Sequence, residues 1–159
     1  MLTLLMLLVT LGAEQAPVPA VYISKEEHEA VLKEQIPKNV IDQPIKAADV
    51  LGGKASVAML HRVKAEAGAL IHDHVTETYY ILSGSGTLVT GGQLGNAKPT
   101  DLTRVNAGMS QTGTRVGGDA RRVKPGDIII IPAGTPHSFS ELDGPISYLV
   151  YRFEPSSKK

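Results

Sequence analysis

Cysteine is absent from the 159 residues, which excludes disulfides, thiolate metal ligands, a catalytic thiol and a lipid-modified cysteine. Excess charge is absent too: Lys plus Arg and Asp plus Glu number 16 each, so no long-range field draws the chain to nucleic acid or to an anionic membrane. The expected partner is a small-molecule ligand or substrate, a metal ion or another protein. No apolar run reaches the roughly 20 residues that span a bilayer. Internal repeats, heptads and charge blocks are missing. There is no G-x-S-x-G elbow of a serine hydrolase, and the G-S-G of "SGSGT" lacks the spacing of a phosphate-binding loop.

What is present is the composition of one soluble globular domain, 42% hydrophobic and 20% charged. The opening "MLTLLMLLVTLG" has the length of a signal-peptide apolar region, with small residues after it as cleavage candidates. Residues 1–13 are read as a signal peptide, and export to the periplasm or beyond is expected, with no membrane segment in the mature form. The competing readings are a buried N-terminal strand or a misannotated start codon, with a cytoplasmic protein as the alternative.

Residues 14–45 form an N-terminal extension. Ser24 and Glu27 take the S-x-x-E spacing of a capping box, which predicts a helix over Lys25–Gln35 stopped by Pro37, with His28 solvated on it. From there to residue 155 the chain is a succession of short β-prone runs separated by Gly, Pro, Asn and Asp. Eight or so strands of this kind predict an antiparallel sandwich or barrel over 46–155. "VTGGQ" reads as a Gly-Gly hairpin and "LDGPIS" as a second tight turn. The glycine-rich stretch 91–118 is expected to be an excursion on the rim with one extra hairpin.

The chemistry concentrates in "HDHVTETYYILSG", His72 to Gly84. Residues two apart on a strand share a side, so His72 and His74 are expected to present both imidazoles to one point. Alone, H-x-H is more often a pair of surface histidines. Glu77 adds a carboxylate on the side shared by Tyr79 and Ile81. Some sixty residues on, "PGDIIIIPAGTPH" brings His137 to a strand entrance behind a run of four isoleucines, expected to be packed on both faces.

These residues resemble the cupin superfamily, whose two motifs are G-x5-H-x-H-x3,4-E-x6-G and G-x5-P-x-G-x2-H-x3-N. The second is matched by Gly126, Pro132, Gly134 and His137, with Glu141 at the Asn position. The first is matched by His72, His74, Glu77 and Gly84, with only Val75 and Thr76 between His74 and Glu77. The resemblance implies a single all-β domain, a small antiparallel β-barrel or double-stranded β-helix of jelly-roll type, here with a short N-terminal helix. It implies a divalent metal held by His72, His74, Glu77 and His137. Three imidazoles and a carboxylate suit Mn, Fe, Co, Ni or Zn and leave positions open for substrate. The expected function is a metal-dependent small-molecule enzyme, a dioxygenase, decarboxylase, isomerase or lyase. The alternative is a cupin that binds a ligand or metal without turnover. A homodimer is plausible through the N-terminal extension. His61, one of Tyr79 and Tyr80, and Glu141 are secondary candidates for the cavity.

Overall fold

The computed structural model describes residues 19–156, so the expected signal peptide lies outside the described residues. The described chain forms one helix, α1 (Lys25–Lys38), and eleven strands: β1 (Asp42–Val50), β2 (Gly53–Arg62), β3 (Ala69–His72), β4 (Thr76–Ser83), β5 (Gly86–Thr90), β6 (Gln93–Asp101), β7 (Met109–Val116), β8 (Asp119–Val123), β9 (Ile128–Ile131), β10 (His137–Leu142) and β11 (Ile146–Pro155). A 3₁₀ turn, Thr103–Val105, joins β6 to β7.

Two antiparallel sheets face each other. One runs β1-β2-β11-β4-β9 and the other β6-β7-β3-β10-β5-β8. From β2 to β5 and again from β8 to β11, successive strands alternate between the sheets. Each strand pairs with one from the opposite end of the chain: β2 with β11, β3 with β10, β4 with β9 and also β11, β5 with β8 and also β10. This nested winding is the jelly roll, as expected from the sequence. The β6–β7 hairpin is the predicted extra hairpin of the excursion. It lengthens one sheet through the β7–β3 ladder.

The core lies between the sheets, where inward residues of alternating strands meet: Ala58 and Leu60 of β2, Tyr79 and Ile81 of β4, Phe139 of β10 and Tyr148 of β11. Burying a side chain of this size stabilises the fold by about 1.5–3 kcal/mol.

Four local expectations are corrected. Helix α1 starts as predicted, with the Ser24 side chain accepting from the Glu27 N–H at 3.1 Å, but it runs through Pro37 and ends at Asn39 in a left-handed cap at φ 51°. His28 is half-buried rather than solvated, because α1 lies against β2. The Gly91-Gly92 turn closes no hairpin: β5 is already flanked by β10 and β8, so β6 has no free edge to pair with and leaves for β7. The isoleucine run is not packed on both faces. β9 is an edge strand, with Ile131 at 2% exposure inside the barrel and Ile128 and Ile130 at 67% and 68% outside.

Candidate metal centre

Three side chains of the expected ligand set meet inside the barrel. His72 is the last residue of β3, and His137, the first of β10, pairs with Leu70 of the same β3. Both rings enter from one sheet. Glu77 enters from the other, on the inward side of β4 with Tyr79 and Ile81. Two glycines shape these approaches. Gly134 takes φ +77° just before β10 and donates its N–H to the His72 carbonyl at 2.8 Å, tying the two histidine segments together. Gly84, at φ +76°, ends β4 where an added Cβ would collide with the Pro145 carbonyl.

The ligand atoms of His72, Glu77 and His137 lie within 4.8 Å of one another, all three residues being buried. His72 Nε2 is 3.3 Å from Glu77 Oε1, and His137 Nε2 is 3.4 Å from Oε2. The far nitrogen of each ring is tied down. His137 Nδ1 faces the Thr135 carbonyl at 3.0 Å and therefore carries a proton. His72 Nδ1 is 2.9 Å from the Ser110 hydroxyl, which also lies 3.2 and 3.3 Å from the carbonyls of Ala107 and Gly108. In a neutral His137 that leaves the Nε2 lone pair aimed at a carboxylate. A lone pair does not face a carboxylate without a cation or a proton between them.

Glu77 is held from behind. Arg152 Nε donates to Oε1 at 2.8 Å and the Tyr79 hydroxyl to Oε2 at 2.9 Å. Arg152 is itself shared: it donates to both Asp42 oxygens and to the Val105 carbonyl. Asp42 thus neutralises the arginine, and the Glu77 charge remains for a cation. Burial pushes the Glu77 carboxyl up, but the His137 and His72 rings and the Arg152 charge outweigh it and hold its pKa well below the usual range. Burial would depress His137; the adjacent Glu77 carboxylate wins and raises it. Tyr79 is driven far up by burial and by the Glu77 charge, and stays protonated.

The donor set fits a divalent ion. Metal–ligand bonds of about 2.1 Å set neighbouring ligand atoms about 3.0–3.4 Å apart, which matches both imidazole–carboxylate separations. Two histidines and one carboxylate would suit a borderline divalent ion and would leave positions for other ligands. The Nδ1 bonds to Ser110 and Thr135 are the outer contacts that fix ring orientation around a metal.

His74 is not part of this group. It is exposed, because β3 stops at His72 and the strand alternation on which the pairing rested stops with it. The chain must cross from one sheet to the other between His72 and Thr76. Asp73 turns to donate its N–H to Met109 and accept from Gln111, and buried Val75 takes the inward place. His61 points to the other face of β2 and bonds Ser147. Glu141 is exposed and bonds Thr87. Ser110, Arg152 and Asp42 were not legible as site residues, since each arrives from an element remote in sequence. Arg152 carries the only signal, a charge amid the apolar "ISYLVYRF".

A cavity of about 470 Å³ reaches this centre, bordered by His72, Glu77 and Tyr79 at its inner end and by Arg62, Leu102 and Arg104 elsewhere. That volume lies in the range of small-molecule sites.

Among solved structures, the Bacillus halodurans protein BH2720 superposes with a TM-score of 0.55 at 16% identity, covering 88% of this chain and 86% of that one. With the nested two-sheet winding, this similarity decides the architecture. The fold is that of the cupins. Two cupins align more loosely. One, from Bacteroides fragilis, has TM-score 0.43 and 19% identity over 67% of this chain and 70% of its own. The other, from Desulfitobacterium hafniense, has TM-score 0.44 and 12% identity over 72% and 76%. No family model and no curated protein matches the chain. Within this cupin barrel, a buried His-Glu-His group compatible with a divalent metal faces a cavity of ligand size.

Proposed function

We propose that this cupin is a metal-dependent enzyme acting on a small molecule, with one divalent ion (Mn, Fe, Co, Ni or Zn) held by His72, Glu77 and His137. The observation that carries the reading is that the cavity reaches His72 and Glu77 directly, so a ligand in it would lie beside an ion held by them. Three protein ligands leave two or three positions of a five- or six-coordinate ion for water and substrate. Bound there, the ion supplies Lewis-acid polarisation of an oxygen or activation of O2, which suits an oxygenase, decarboxylase, isomerase or lyase. The chain's own groups do the positioning. Ser110 and the Thr135 carbonyl orient the imidazoles, Arg152 and Tyr79 fix the carboxylate, and Leu60 and Leu70 exclude water from the wall.

Elemental analysis of the native protein tests this. About one divalent ion per chain is expected, lost in His72→Ala and in His137→Ala. Metal-free native protein, or unchanged content in both variants, overturns the reading.

One observation favours a second reading, ligand or metal binding without turnover. A catalyst needs a group free to move protons. Tyr79 is committed to Glu77, and Glu141 faces solvent. Turnover assays on any ligand found by thermal shift separate the two readings. We also propose export, on the strength of the leading apolar run; mass spectrometry finding Met1 intact in protein from the native host rejects it.

A further inference from the structure

We infer that the cavity takes a small amphipathic carboxylic acid, its carboxylate held by Arg104 where the cavity meets solvent; the inference rests on the metal-site reading for the end of the molecule that reacts. Three arginines border the cavity, and they differ in what they already hold. Arg152 is spent on Glu77, Asp42 and the Val105 carbonyl. Arg62 pairs with Glu66 at 3.1 Å and donates to the Tyr148 hydroxyl at 2.8 Å. Arg104 is exposed on the 3₁₀ turn and makes no ion pair or side-chain hydrogen bond among the described residues.

Glu66 offsets Arg62 and Asp42 offsets Arg152, so among the described residues Arg104 is the cavity cation without a partner. A lone guanidinium is a bidentate fit for a carboxylate. A phosphate dianion calls for several converging donors, which this rim does not provide. Leu102 stands beside Arg104 on the same turn, and Leu60 and Leu70 line the way inward. The ligand therefore has an apolar body behind its charged end.

Calorimetric titration of the zinc-supplemented full chain with hexanoate, hexanamide and hexyl phosphate tests the assignment. Hexanoate is expected to bind about tenfold or more tightly than hexanamide, a charge-assisted pair against a neutral one. Arg104→Ala should abolish that preference and Arg104→Lys should keep part of it. Arg121→Ala, at an exposed arginine paired with Asp119, should leave it unchanged. Equal binding of hexanoate and hexanamide, a preference that survives Arg104→Ala, tighter binding of hexyl phosphate, or no binding of any probe overturns the inference. Zinc titration of the same samples keeps the two ideas apart. Zinc bound with no role for Arg104 sinks the carboxylate site alone, whereas an Arg104-dependent preference in protein that binds no zinc sinks the metal reading and leaves the carboxylate site standing.

Discussion

At Glu77 a carboxylate with 1% exposure is contacted by two imidazoles, a guanidinium and a phenol. Removing its charge leaves Arg152 still paired with Asp42, so Glu77→Gln loses the charge-assisted hydrogen bond but strands no charge and should cost about 1–3 kcal/mol in urea denaturation. The sign of the pH dependence follows from the lowered pKa. A carboxyl depressed by folding stabilises the native state above its unfolded value of 4.5 and loses that contribution as pH falls through the folded value. Metal-free protein should therefore melt at progressively lower temperature as pH drops below about 4.5, and Glu77→Gln should flatten that slope. The histidines divide differently from the motif: His74→Ala should leave metal content and melting temperature unchanged, while His72→Ala loses the metal. Glu77 and His137 were legible because strand parity and a turn before a strand are local properties. His74 was misplaced because the end of β3 is decided by the crossing to the other sheet, which spacing alone does not reveal.

The elements around the site follow a similar division. The succession of short strands expected over 46–155 is found, since runs of β-branched and aromatic residues between turn signals depend on the local chain. β1 was not foreseen. "DQPIKAADV" has no period-two alternation, and it becomes a strand by pairing with β2 from Asp42↔Leu60 to Val50↔Gly53. The environment of β9 was misjudged because four isoleucines in a row read the same at an edge as in the middle of a sheet. Its two faces predict opposite responses. Ile131→Ala should cost about 2–5 kcal/mol by leaving a cavity, whereas Ile130→Lys on the outer face should change stability by no more than about 0.5 kcal/mol. Denaturant midpoints of the two variants check this, and equal losses would contradict the placement of β9.

Over the whole molecule, most tertiary contacts join residues distant in sequence, and the two sheets close only when strands from both ends of the chain are in place. The His72, Glu77 and His137 group spans both sheets, so an ion bound there would stabilise their closure. Saturation at a hundredfold over Kd adds about 2.7 kcal/mol. Chelation should therefore lower the melting temperature of the native protein and have no effect on His72→Ala, a comparison accessible to calorimetry.

Arg152 joins three stretches of chain: the start of β1 through Asp42, the turn after β6 through Val105, and Glu77 on β4. A shortened chain beginning at residue 46 would keep every metal-facing side chain and still lose the counterweight to that guanidinium. The arginine and the incoming ion would then compete for one carboxylate, and trimming an apparently dispensable leader would weaken a centre it never touches.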